Sequence, residues 1–162
     1  MATPIFIDCD PGHDDMMAIM LAAAHPEIEL IGITTVAGNQ VGAKTYDNAG
    51  RTLTLINRED IPVVRGADAP LCRPLRIAPE IHGTSGLDGA DLPDSGIPEI
   101  KESAPAFMAR TILASDRKVV LVPTGPLTNV ALALRSYPEL GDKIERIVLM
   151  GGAVYESNIT PA

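Results

Sequence analysis

Pro4-Ile5-Phe6-Ile7-Asp8-Cys9-Asp10-Pro11-Gly12-His13-Asp14-Asp15-Met16-Met17-Ala18-Ile19-Met20-Leu21 is the stretch on which the fold turns. Its first four residues are apolar, with β-branched and aromatic side chains, which is the pattern of a buried strand. Its last six are rich in Met, Ala and Leu, which favour helix. Pro11-Gly12 marks the turn between the two. Asp14 and Asp15 then fall at a helix start, where carboxylates can cap free N–H groups and meet the positive end of the dipole. Four carboxylates lie within these few residues, more than a cap needs. Asp8 and Asp10 share one face of an extended strand, and Asp10 and Asp15 straddle the turn. Carboxylates so close repel unless a proton or a cation sits among them. An all-oxygen cluster on a tight loop suits calcium or magnesium; the plainer alternative is a capped helix with solvated acids.

The rest of the chain repeats the strand–turn–helix theme. Strands are expected at about 4–9, 29–36, 62–65, 118–123 and 146–150, with helices at about 14–24, 42–57, 104–115 and 127–135. His25-Pro26 ends the first helix, because a residue before proline avoids helical backbone angles. This alternation predicts a single α/β domain over 1–162, a doubly wound and mainly parallel sheet with right-handed crossovers. Ligands in such sheets bind beyond the carboxyl ends of the strands. Asp10, Asn39, Thr124 and Met150-Gly151-Gly152 all fall there, which favours one shared site over unrelated turns. Cys9 reads as a small buried side chain on the strand face opposite Asp8 and Asp10, and Asn129 as a residue bonding the backbone of its own turn. Residues 67–100 are the least regular, with prolines at 70, 74, 79, 93 and 98. A loop of that length in a compact domain is usually functional or disordered. Its centre, Ile81-His82-Gly83-Thr84-Ser85-Gly86-Leu87-Asp88-Gly89, is polar and glycine-rich, a segment able to close over a ligand.

Composition removes several classes of function. The 162 residues are 46% apolar, enough for a sizeable core, and carry a net charge of −8, which argues against nucleic-acid and anionic-membrane partners. There is no Trp and no apolar run of membrane-spanning length. Residues 1–7 lack the basic start and long apolar core of a signal peptide, so a cytoplasmic location is expected. The two cysteines, Cys9 and Cys72, form neither a metal spacing nor a disulfide framework.

The motif Asp8-Cys9-Asp10-Pro11-Gly12-His13-Asp14-Asp15 resembles the N-terminal signature of the inosine-uridine-type nucleoside hydrolases. The resemblance continues through Ala37-Gly38-Asn39, His82-Gly83-Thr84-Ser85-Gly86-Leu87-Asp88, Pro123-Thr124-Gly125-Pro126-Leu127-Thr128-Asn129 and Met150-Gly151-Gly152. It implies hydrolysis of the N-glycosidic bond of ribonucleosides. By the same resemblance, calcium would be bound by Asp10, Asp15 and the main-chain carbonyl of Thr124, and Asp10 would be the base for the attacking water. Asp14 and Asn39 would hold ribose hydroxyls, Asn158 would approach the ribose 5′ end, Met150 would line the sugar pocket, and His82 would stand on a mobile loop near the base or 5′ side. Asp8 would support the loop through hydrogen bonds. A dimer or tetramer is implied as well. The family chain is about twice as long and supplies further site residues beyond Ala162, including a late Asp on the calcium. A truncated chain is therefore expected, with strand five left at an exposed edge and its own activity reduced or absent. Two other readings stand beside this one. Asp8-x-Asp10 after a strand superficially resembles an aspartyl-nucleophile phosphohydrolase, although Pro11-Gly12 replaces the Thr or Val wanted there. The chain could also be a non-catalytic fragment that binds metal or a partner.

Overall fold

The computed structural model describes residues 1–89, 91–152 and 155. Its elements run in chain order as β1 (Thr3–Cys9), α1 (His13–Ala24), β2 (Ile28–Thr35), α2 (Gly42–Leu55), β3 (Val63–Arg65), α3 (Pro79–His82), α4 (Ala104–Leu113), β4 (Val119–Pro123), α5 (Thr128–Ser136), α6 (Leu140–Lys143) and β5 (Ile144–Ile147). The five strands form one sheet in the order β3-β2-β1-β4-β5, and every pairing is parallel. This is the doubly wound α/β fold expected from the alternation of strands and helices. Strand order reverses between β1 and β4, and in open parallel sheets the crevice at that reversal receives the ligand.

Adjacent residues of β1 serve opposite faces of the sheet. Phe6 packs with Phe107, Met108, Ile112, Leu121 and Val130 of one apolar cluster. Ile7 and Cys9 join Ile19, Ile33, Leu53 and Val63 of the other. Cys9 thus lies opposite Asp8, as the strand period requires. Each fully buried Phe, Leu or Ile contributes about 1.5–3 kcal/mol relative to exposure, so these two layers hold the sheet between its helices.

The structure departs from the sequence reading in three places. Strand five is assigned to Ile144–Ile147 rather than 146–150. Its backbone still pairs further on: the Val148 N–H donates to the Leu121 carbonyl and the Met150 N–H to the Pro123 carbonyl, both at 2.9 Å. The apolar residues Val148, Leu149 and Met150 follow β4 without completing a regular ladder. Two short helices, α3 and α6, were missed because four residues are too few to show a helical period. Finally, Asn129 bonds distant backbone rather than its own turn, as described below. Among the described residues no helix is long and apolar enough to cross a membrane.

Candidate active site

α1 begins at His13, directly after the acidic turn, so Asp15 occupies its first turn. Its carboxylate reaches back to the Gly12 N–H (3.3 Å) and accepts the Thr124 hydroxyl (2.6 Å). Asn39 follows β2 and clamps the same turn from the other side. Its backbone N–H donates to Asp10 Oδ2 at 2.7 Å, and its side-chain amide donates to the Asp10 carbonyl at 3.0 Å and to Asp15 Oδ2 at 3.4 Å. The ends of β1, β2 and β4 thereby converge on two carboxylates, Asp10 and Asp15, which are only 5% and 3% exposed. Asp14, one residue away on the helix, is exposed.

Two glycines make room for Asp10. A Cβ on Gly38 would collide with Asp10 Oδ2, and one on Gly125 would stand 2.6 Å from Asp10 Oδ1. Gly38 looks like a turn former in the sequence; here its missing side chain admits a carboxylate.

The electrostatics follow from this packing. Asp10 is pushed up to about 8, first by burial and then by the charge of Asp15, against the lowering effect of the Asn39 N–H. Asp15 is also raised, mainly by burial, while the Thr124 hydroxyl and the Gly12 N–H work the other way. Two buried carboxylates, at least one of them disfavoured as an anion by the other, form an arrangement that a divalent cation relieves. Their oxygens, with neighbouring hydroxyl and carbonyl groups, suit a hard cation. Among the described residues no group of three or more His, Cys, Asp or Glu side chains converges on one metal position; the carboxylate contribution found here is the Asp10–Asp15 pair.

Asp8 lies behind the pair and is fully buried. Its Oδ1 accepts the Thr34 hydroxyl (2.6 Å) and the Asn129 amide (2.8 Å), and its main-chain carbonyl accepts the Thr124 N–H (2.9 Å). Burial pushes it up to about 6, the two hydrogen bonds opposing that shift. Asn129 also donates to the Thr35 carbonyl and accepts the Ala67 N–H, so it joins β1, β2 and the segment after β3.

His82 arrives from the long loop. Its ring stacks on His13 with centroids 5.6 Å apart, and it accepts the His13 backbone N–H at 3.4 Å. A Cβ on Gly12 would meet that ring at 2.6 Å, so the glycine of the acidic motif is also the seat of the loop histidine. Met150 stands 60% exposed beyond β5, and Asn158 lies outside the described residues. An open groove of about 500 Å³, lined in part by Arg65, Asp68 and Lys101, lies on the β3 side of the sheet and not over the carboxylates. The chemistry therefore points to the acidic turn rather than to that groove.

Residues 5–162 match the family model of the inosine-uridine preferring nucleoside hydrolases. The chain belongs to this family. Among curated relatives it is 56% identical over all 162 residues to a pyrimidine-specific ribonucleoside hydrolase RihA of Shewanella sp. (strain ANA-3), covering 51% of that protein. It is 54% identical to the RihA of Escherichia coli O127:H6, again over its whole length and 52% of the relative. Among solved structures it resembles a purine-preferring ribonucleoside hydrolase from Gardnerella vaginalis, with a TM-score of 0.87, 36% identity, and coverage of 93% of this chain and 49% of that one. An inosine-guanosine nucleoside hydrolase superposes with a TM-score of 0.88 at 34% identity, over 98% of this chain and 51% of that one. The nucleoside hydrolase chain described here thus spans about half the length of the curated relatives it matches. Membership favours the nucleoside hydrolase resemblance over the phosphohydrolase reading of Asp8-x-Asp10.

The fold brings together Asp10, Asp15, Asn39 and Thr124, four residues that the sequence placed at strand ends or the acidic turn. Sequence reasoning missed the Thr124 hydroxyl on Asp15, the cradle of Gly38 and Gly125, and the contribution of α2 to the loop that carries His82. Those contacts join residues tens of positions apart, and no local pattern announces them.

Proposed function

We propose that this protein acts in hydrolysis of the N-glycosidic bond of ribonucleosides, releasing ribose and the free base. The observation that carries this reading is the buried Asp10–Asp15 pair at the sheet's reversal point, in a chain of nucleoside hydrolase sequence. Asp10, Asp15 and the Thr124 carbonyl would hold calcium. A cation held there would supply positive charge that acidifies an adjacent water and favours binding of the ribose diol. Asp10 would then take the proton of the attacking water, the step a carboxylate beside the cation can perform. Asp14 and Asn39 hold ribose hydroxyls, and Asp14 stabilises the positive charge that grows on the sugar as the C–N bond breaks. His82 would stand near the base or 5′ side and Met150 would line the sugar pocket; Asn158, proposed for the ribose 5′ end, lies outside the described residues. Pyrimidine ribonucleosides are the first substrates to try, given the relatives named above. A cytoplasmic homo-oligomer, dimer or tetramer, completes the reading.

The test is ribose release from uridine, cytidine and inosine by the purified chain, with calcium and with chelator. Calcium-dependent release that is lost in Asp10→Ala supports the proposal. Tight calcium binding without release would instead favour a non-catalytic metal-binding fragment.

A further inference from the structure

The loop that carries His82 is bound by a row of side chains from α2 and from Gln40 just before it. Three successive loop carbonyls each accept one donor: Gly83 from Gln40 Nε2 at 2.9 Å, Thr84 from Lys44 Nζ, and Ser85 from Asn48 Nδ2 at 3.0 Å. Lys44 and Asn48 are four apart and share a helix face. Asn48 differs from the other two. Its Nδ2 also donates to the Pro11 carbonyl at 3.0 Å, so both of its amide hydrogens are used, one on the loop and one on the acidic turn. It is 4% exposed. Gly86 completes the fit: its φ is +91°, and a Cβ there would stand 2.7 Å from Asn48 Nδ2. Pro11 lies between Asp10 and Asp15 in the chain, so a shift of its carbonyl moves the turn that spaces the two carboxylates.

We propose that Asn48 is a positioning residue that locks the His82 loop and the acidic turn into one relation, so that the placement of the loop sets the spacing of the carboxylate pair. This rests on the reading of that pair as a cation and ribose site. Lys44 and Gln40 hold the loop alone; Asn48 ties it to the site. Removing Asn48 leaves two carbonyls, Pro11 and Ser85, without their side-chain donor, whereas removing Lys44 frees only the Thr84 carbonyl.

The test compares the 162-residue chain with Asn48→Ala and Lys44→Met by amide hydrogen exchange and by calorimetric calcium titration. The amides of Gly83–Asp88 and of Gly12 are all hydrogen-bonded and therefore readable. Asn48→Ala should speed exchange in the loop and at Gly12 together, by about 10-fold, and weaken calcium binding by about 3- to 10-fold, as loss of a buried donor implies. Lys44→Met should speed exchange in the loop alone and leave calcium affinity within about twofold, since an exposed donor contributes little. Should Asn48→Ala fail to fold, Asn48→Ser keeps one donor and gives the same pattern at smaller size. Loop exchange that rises in Asn48→Ala without a change at Gly12 overturns the proposal, as does identical behaviour of the two variants. If the unaltered chain binds no calcium, the cation-site reading falls, and the paired exchange at Gly12 still decides the role of Asn48.

Discussion

Asp10 and Met150 each follow a strand of the same parallel sheet, and each reverses the usual rule of burial. The Asp10 carboxylate is 5% exposed, whereas Ile147, Val148, Leu149 and Met150 at the outer edge are 40–60% exposed. The difference lies in their neighbours. β1 has strands on both sides and helices on both faces, so anything at its carboxyl end is desolvated whatever its polarity. Among the described residues β5 pairs with β4 on one side only; Ile144 packs against the core, while Ile147 and the following Val148, Leu149 and Met150 are exposed. Burying an ionisable group costs free energy unless partners or a bound charge offset it; leaving an edge strand apolar invites association. The centre of this sheet carries buried charge, and the described residues at its β5 edge carry exposed apolar surface.

The most direct way to break the comparison is to remove the charge at the centre. Asp10→Asn should weaken calcium binding by at least about 100-fold and abolish any ribose release, because the change removes both the proposed ligand and the proposed base. The same change should raise the melting temperature of the metal-free chain at pH 8, since it removes a buried carboxylate that resists ionisation. A fall in melting temperature there would mean that the pair is not electrostatically costly.

The pH dependence of the metal-free chain sharpens the same point. Asp8 at about 6 and Asp10 at about 8 bind protons more tightly folded than unfolded, where both sit near 3.8. The folded state therefore holds the extra protons, and stability falls as pH rises from about 4 to about 8. Between pH 5 and pH 8 the two shifts together correspond to a loss on the order of 5 kcal/mol, read from urea midpoints. Saturating calcium should flatten that slope by stabilising the ionised pair; an unchanged slope would separate calcium from these carboxylates.

Gly38→Ala probes the steric side of the centre. Its added methyl meets the Asp10 carboxylate and the Pro126 ring, and overpacking of this kind costs about 1–3 kcal/mol. Thermal unfolding measures that cost, and calcium affinity should fall with it. The smallest effect on stability belongs to the edge. Val148→Lys should change unfolding free energy by less than about 0.5 kcal/mol while reducing concentration-dependent association in sedimentation, because a charge on an edge segment blunts strand pairing.

Much of the fold was legible beforehand. The apolar run 4–7 before the acids, the proline that ends α1, and the alternation of strand and helix patterns were enough to expect a parallel doubly wound sheet. They also put Asp10, Asn39 and Thr124 at the carboxyl ends of strands. The edge was less legible: 146–150 reads as strand because its residues are apolar, yet the regular ladder stops at Ile147. Apolar character reports a preference for burial, and it cannot say whether a neighbour is present to satisfy it. The loop around His82 was visible as glycine-rich and polar, but its attachment to Gln40, Lys44 and Asn48 was not.

The local sequence thus determined which elements form and which chemical groups stand at their ends, because strand and helix patterns and turn residues act over a few positions. Tertiary structure decided the rest. It fixed that Asp10 sits in a cradle of two glycines from different segments, that Asp15 takes a hydroxyl from a residue more than a hundred positions away, and that Asn48 spans a turn and a loop. Desolvation and close approach depend on what packs in space, and the chain brings those partners together only when the sheet has formed.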